Sequence, residues 1–169
     1  MKLAKADIAD VYSLQELSIK TFMEAFAEDN SDKDMQVYIR QSFASKKLAS
    51  ELNNPDSEFY IYRSDVLPVA YLKVNFGLAQ SESMGDEALE LERIYVLQTY
   101  KGKGVGQFLL DKAIEIGRSK KAKFIWLGVW EHNHQALAFY RKNGFEVFGQ
   151  HVFQFGNDPQ TDLMMRLSL

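Results

Sequence analysis

The chain contains no cysteine. A disulfide framework, a thiolate metal site and a cysteine nucleophile are therefore excluded. Proline is scarce, at 3 in 169 residues, and no stretch rich in proline, glycine or serine marks a linker. Repeats and low-complexity tracts are missing too, so a single domain spanning residues 1–169 is expected. The longest apolar run, Phe124 to Trp130, falls far short of the roughly 18 residues that a membrane helix needs. No membrane partner is expected. Met1-Lys2-Leu3-Ala4-Lys5-Ala6-Asp7 meets an acid before any apolar stretch forms, which predicts no signal peptide and makes the cytoplasm the default compartment. Nor is there an excess of positive charge. Lys and Arg number 20 against 23 Asp and Glu, a formal net charge of -3, which gives no electrostatic reason to expect a nucleic acid. Mild acidity would instead suit a cationic substrate.

What is present is ordinary for a globular domain: 46% hydrophobic and 25% charged residues. Leu3 fits a short first strand. A helix is expected from about Asp7, with Ile8, Val11, Leu14 and Leu17 on one side. Ser31-Asp32-Lys33-Asp34 has the form of a capping box before Met35, Tyr38, Ile39 and Phe43 at helical spacing. A third helix is predicted over Ser45 to Leu52. Phe59–Tyr62, a turn at Arg63-Ser64-Asp65 and Val69–Phe76 then read as a hairpin. The acidic segment Gln80 to Glu87 reads as a loop and Leu89 to Val96 as a strand. Gly104 to Gly117 carries Val105, Leu109, Ala113 and Ile116 at helical spacing, and Phe124–Trp130 has the apolar character of a central strand. A helix from His134 to Lys142 should stop at Asn143-Gly144. Val147–Phe155 and Thr161–Leu167 predict a second hairpin across Gly156-Asn157-Asp158-Pro159. The class is mixed α and β around one sheet.

Chemistry concentrates in two places. The strand Leu91-Glu92-Arg93-Ile94-Tyr95-Val96 leads, after three linking residues, into Lys101-Gly102-Lys103-Gly104-Val105-Gly106-Gln107. A glycine-rich turn opening a helix aims several backbone N–H groups the same way, which favours a phosphate or pyrophosphate. Neither a P-loop string nor a dinucleotide fingerprint off a first strand is present. On the glycines alone, a tight strand-to-helix turn with no ligand is the lesser alternative. The second place is Asn133-His134-Gln135-Ala136-Leu137-Ala138-Phe139-Tyr140-Arg141-Lys142-Asn143-Gly144-Phe145, directly after the apolar strand.

Together these two stretches resemble the Gcn5-related N-acetyltransferase (GNAT) superfamily. Its signatures, Gln/Arg-x-x-Gly-x-Gly/Ala and Asn-x-x-Ala-x-x-x-Tyr-x-x-x-Gly-Phe, appear as Lys101-x-x-Gly104-x-Gly106 and Asn133-x-x-Ala136-x-x-x-Tyr140-x-x-x-Gly144-Phe145. Lys101 departs from the usual Gln or Arg. Shorter strings, among them Leu91-Glu92-Arg93-Ile94-Tyr95 and Gln160-Thr161-Asp162-Leu163-Met164, look like the PaiA type of bacterial spermidine/spermine N-acetyltransferase. The resemblance implies a GNAT fold of α+β class: a twisted, mixed, mostly antiparallel sheet of six or seven strands with helices on both faces. Leu89–Val96 and Phe124–Trp130 should run parallel and splay apart. It also implies acetyl-CoA as cosubstrate, no metal, and direct transfer to a primary amine, with a polyamine as the partner. A protein N-terminus or lysine as acceptor, or a CoA-binding regulatory module with little turnover, stays open.

By the same resemblance, the backbone of Ile94, Tyr95 and Val96 should meet the pantetheine arm. The N–H near Val96 should polarise the thioester carbonyl, and Lys101, Gly102, Lys103, Gly104, Val105 and Gly106 should hold the pyrophosphate. Asn133 either contacts the cofactor or caps its helix. Tyr140 is the candidate general acid for the leaving thiolate, set against a role as a core aromatic, and it counts among the cofactor contacts. Glu92 is the candidate base for the attacking amine, directly or through water. Equally it could be a surface acid paired with Arg93. Glu24, Glu28, Asp29, Glu82 and Glu131 are possible anchors for the far ammonium groups, and Trp130 could sit near the site. His132 and His134 flank Asn133, with no third ligand at a recognisable metal spacing. The C-terminal hairpin could pair across a homodimer.

Overall fold

Residues 2–169, those described by the computed structural model, sort into seven strands and five helices. In chain order these are β1 (Lys2–Lys5), α1 (Val11–Phe26), α2 (Asp32–Ser42), α3 (Ser45–Leu52), β2 (Ser57–Ser64), β3 (Leu67–Asn75) and β4 (Ala88–Val96). They continue with α4 (Val105–Ser119), β5 (Phe124–Trp130), α5 (His134–Lys142), β6 (Glu146–Phe155) and β7 (Asp158–Ser168). The strands form one sheet in the order β1-β2-β3-β4-β5-β7-β6. Every neighbouring pair is antiparallel except β4 and β5. This is the expected α+β class and the GNAT arrangement. Among the described residues no helix is long and apolar enough to cross a membrane.

Strand alternation assigns the helices to faces. Tyr60 and Tyr62 of β2 meet Lys112 and Phe108 of α4. On the other face, Lys73 and Arg93 reach Glu51 of α3, and Tyr95 meets Phe22 and Phe26 of α1. The helices follow their apolar stripes. Leu14, Leu17 and Phe22 are buried along α1, as are Val105, Leu109, Leu110, Ala113 and Ile116 along α4. Covered on both sides, β3 is buried from Val69 through Asn75.

Several boundaries differ from the sequence reading, each for a physical reason. Asp7 caps a short 3-10 turn over Ile8–Asp10, so α1 starts at Val11 and Ile8 is half exposed rather than on the core stripe. Arg63 and Ser64 belong to β2, and the hairpin turns at Asp65, whose φ of 56° supplies the left-handed step. At Ser31 the hydroxyl accepts the Asp34 N–H and donates its own proton to the Asp34 carboxylate, so the box closes side chain to side chain. The second hairpin turns at Gly156-Asn157, and Pro159 sits inside β7 opposite Gln154. Proline is tolerated there because β5 pairs with β7 only from Asp162 onward, leaving that edge of β7 without a ladder partner.

The tip of this hairpin docks on α2. Asn157 N–H donates to Asp34 Oδ1 at 2.8 Å, and Gln160 Nε2 donates to Asn30 Oδ1 at 2.7 Å. Gly156 (φ +58°) lies so close to α2 that a Cβ would stand 2.8 Å from Asp34 Cα. Gly156→Ala combines a strained φ with a backbone clash and is expected to cost about 1–3 kcal/mol. The check is a lower midpoint in urea at unchanged m.

Candidate active site

The site begins where two strands part. β4 and β5 pair only at Ala88↔Phe124, Leu89↔Ile125 and Glu90↔Trp126. Beyond that, Leu91–Val96 and Leu127–Trp130 run on with no mutual pair. The cause lies in β4: Lys73 faces Arg93 while Val74 faces Leu91, so Glu92 is an extra, bulged residue. A bulge sharpens twist and bends its strand. Leu97 N–H donates to Val69 O. By the alternation of an antiparallel ladder, the N–H groups of Ile94 and Val96 then point away from β3, into the gap that β5 has left.

The gap is a cavity of about 170 Å³ that passes between the faces of the sheet. Ile94, Val129, Asn133, Ala136 and Tyr140 line it toward α5, and Phe22, Tyr38, Phe153 and Phe155 line it toward α1 and α2. Phe22, Tyr38 and Phe155 stack there, with Phe22 and Tyr38 ring centres 4.5 Å apart.

The turn after β4 lies on the same strand-to-helix path. Lys101 N–H is bonded to Gln98 O and Phe108 N–H to Gly104 O. Between them, the amides of residues 102–107 make no backbone hydrogen bond among the described residues. Gly102 and Gly104 adopt φ of 72° and 80°, which glycine alone takes without strain. A Cβ at Gly102, Gly104 or Gly106 would meet nothing within 4 Å, so the amides stand open to a ligand. Free amides at the head of a 15-residue helix make an anion cradle.

On α5, Asn133 caps the helix by accepting Ala136 N–H at 3.1 Å and also lines the cavity. The two readings of Asn133 are thus compatible. Tyr140 is buried against Phe139 and Phe145. Burial raises its phenol pKa, and its hydroxyl has no hydrogen-bond partner among the described residues.

The acids gather on the opposite side. A second cavity of about 270 Å³ adjoins the first and is lined by Glu82, Glu90, Glu92, Arg93, His151 and Asp162 among others. Glu92 is bonded by Lys73 Nζ at 2.5 Å, Arg93 at 3.0 Å and Asn75 Nδ2 at 2.5 Å. Burial pushes its pKa up, but the Arg93 and Lys73 cations outweigh burial and hold the carboxylate at about 2. The pairing with Arg93 is therefore real, but within a half-buried bulge rather than on the surface. Glu90 is fully buried, accepts from Ser81 and Asn75, and has its pKa raised by that burial.

The structure brings Glu92, Ile94, Tyr95, Trp130, Asn133 and Tyr140 to one cavity and Glu82 to its neighbour. It does not bring Glu24, Glu28, Asp29 or Glu131 to either. Glu24 instead accepts Gln98 N–H at 2.7 Å. His132 stands edge-on to Trp130, and no group of three or more His, Asp or Glu side chains gathers as an ion site among the described residues. Sequence reasoning missed Tyr38, Phe153, Phe155, His151 and Asp162 as lining residues. Glu90 and Glu92, two residues apart, and Glu82 in the acidic loop were the local signs of an acid-lined cavity; Asp162 and His151 arrive from distant strands.

Comparison with known proteins agrees with this geometry. The profile of the acetyltransferase (GNAT) family matches residues 12–145. An uncharacterized N-acetyltransferase of the pepI 3' region from Lactobacillus delbrueckii subsp. lactis is 36% identical over 100% of this chain and 98% of its own length. A spermidine N(1)-acetyltransferase of Thermoplasma acidophilum is 26% identical over 87% of this chain and 89% of its own. Among solved structures, the PaiA N-acetyltransferase of Thermoplasma acidophilum in complex with coenzyme A superposes with a TM-score of 0.81. It is 23% identical, over 99% of this chain and 98% of that one.

The depressed Glu92 pKa makes a statement about stability. A carboxylate held at about 2 against an ordinary 4.5 contributes stability that is complete above 4.5 and is lost as pH falls toward 2. Glu92→Gln should flatten that acid limb by an amount on the order of 3 kcal/mol. Urea melts of both proteins between pH 6 and pH 2 measure the difference.

Proposed function

The chain belongs to the acetyltransferase (GNAT) family, and from that premise we propose that it moves acetyl from acetyl-CoA directly to a primary amine of a polyamine such as spermidine or spermine. The single observation that carries the acceptor class is the acid-lined cavity joined to the strand gap. Glu82, Glu90, Glu92 and Asp162 surround it, with Tyr38, Tyr95 and Phe153 alongside. Carboxylates pair with ammonium groups, aromatic faces attract them, and both tolerate the methylene segments between. A spermidine acetyltransferase among the relatives supports the same class.

The residues present fit acetyl-CoA. The free amides of 102–107 suit a pyrophosphate, with Lys101 and Lys103 adding charge, and the outward N–H groups of Ile94 and Val96 suit an extended amide-bearing arm. When bound, the cosubstrate supplies an activated acetyl thioester. The Val96 N–H then has the role of holding the carbonyl oxygen as it gains charge. The Tyr140 hydroxyl, kept protonated by burial and free of other partners, has the role of giving its proton toward the departing sulfur. Glu92, whose cations make it a weak proton acceptor, acts chiefly by its charge, drawing an ammonium toward the gap. No covalent acetyl-enzyme on cysteine can form, because there is no cysteine. We propose a cytoplasmic setting and a homodimer through the C-terminal hairpin, whose β6 is one of the two edge strands of the sheet.

Acetyl-CoA turnover over a panel of amines tests this reading. Spermidine and spermine should exceed a monoamine of equal length about tenfold in kcat/KM, the equivalent of one further ammonium contact of about 1.4 kcal/mol. Tyr140→Phe should lower kcat on the order of 10²-fold with coenzyme A binding kept. Refusal of every polyamine together with acetylation of a peptide N-terminus or lysine would replace the polyamine reading by a protein-directed one.

A further inference from the structure

If Glu92 is too weak a base, the proton of the acceptor ammonium must go elsewhere. Of the four carboxylates around the second cavity, only Glu92 and Asp162 also line the strand gap. Glu90 has both oxygens taken by Ser81 and Asn75. Asp162 is different. Its carboxylate meets no backbone amide, lysine or arginine among the described residues; its close partner is His151, whose Nε2 stands 3.7 Å from Oδ2. On the far side of that imidazole, Nδ1 lies 3.1 Å from Glu82 Oε1. The side chain of Glu82 is 47% exposed, against 22% for His151 and 15% for Asp162. Carboxylate, imidazole and carboxylate thus run in line from the gap to solvent.

The sheet builds this line. His151 and Asp162 are direct cross-strand partners on β6 and β7, so their side chains share a face. Beneath them β5 carries Gly128, where a Cβ would stand 3.3 Å from Asp162 Oδ2 and 3.4 Å from His151 Nε2. The glycine, exposed between buried Leu127 and Val129, leaves the room in which the pair meets.

We propose that Asp162 takes the proton from the acceptor amine and that His151 and Glu82 relay it to water. The proposal rests on the acceptor entering the acid-lined cavity, as argued above. One proton leaves the ammonium nitrogen for an Asp162 oxygen, freeing the nitrogen lone pair. Once the 3.7 Å between Asp162 Oδ2 and His151 Nε2 closes to hydrogen-bond distance as the acceptor binds, His151 Nε2 accepts that proton, becoming an imidazolium between two carboxylates. It releases one from Nδ1 through Glu82 to solvent, and exchange with water restores the tautomer. Asp162 is the catalytic residue here, and His151 and Glu82 act through it. Burial raises the Asp162 pKa while the neighbouring His151 lowers it, and burial prevails, which brings this carboxylate closer than Glu92 to a useful base. Other ionisable groups facing the line are Glu90, Glu92, Arg93 and Tyr95 from β4 and Tyr38 from α2.

The test is the pH dependence of kcat and KM in Asp162→Asn and His151→Gln. It uses whichever primary amine of the panel the wild type acetylates best, so that refusal of polyamines removes the acceptor class without touching this measurement. Asp162→Asn should lose on the order of 10²-fold in kcat near neutral pH. The deficit should shrink as pH rises toward the amine's own pKa of about 10, where no base is needed. His151→Gln should show a smaller loss, roughly tenfold, that recovers the same way. Wild-type profiles in both variants would overturn the relay. So would a raised KM in Asp162→Asn with kcat and its pH profile unchanged, which would make Asp162 an anchor for a distant ammonium.

Discussion

An extra residue in one strand governs the rest of this molecule. Glu92 has no opposite number on β3, and β4 bends away from β5 three pairs after their parallel ladder begins. A bulge in the middle of a sheet leaves polar backbone and a side chain without their usual partners, so it persists only if something else holds it. Here that is a buried charge network. Lys73 and Arg93 each touch both Glu51 and Glu92, two cations against two anions. Any one of these charges left alone at such depth would cost about 3–5 kcal/mol, so the four must be present together. The bulge and the network support each other.

The opening so created has two unlike sides. Toward α5 it offers a capped helix end and a phenol without a partner, and β4 turns the N–H of Ile94 toward it. Those groups suit an anion and a leaving group. Toward α1 and α2 it offers stacked aromatic rings and carboxylates. Those suit a cation carried on an apolar chain. A sheet that stayed closed would keep these sides apart. One that parts in the middle joins them through a single opening.

The α1–α2 side is also assembled from the most distant parts of the chain. Phe22 and Tyr38 come from the first two helices, whereas Phe153, Phe155, His151 and Asp162 come from the last two strands. The clasp between Asp34 and the turn at Gly156-Asn157 ties these ends together. The shape of this side of the cavity therefore depends on a contact at the far tip of the hairpin.

Local chemistry was legible before any fold. The periodicity of α3, α5 and β5 placed their ends at the residues observed, because capping at Asn133, the stop at Asn143-Gly144 and an unbroken apolar run are all short-range effects. The Asn133-to-Phe145 stretch likewise set Asn133, Ala136 and Tyr140 toward one cavity, since an i, i+4 helix face is written in consecutive residues. The bulge at Glu92 was not legible, as it exists only relative to β3. Nor was the fate of the acids: the same carboxylate symbol covers Glu24, which binds a loop amide, Glu92, which two cations hold at about 2, and Asp162, which burial raises. Sequence by itself determined which residue types were available and where helices and strands could start. Tertiary structure alone decided which charges met, because a pKa and a cavity depend on neighbours brought from far along the chain.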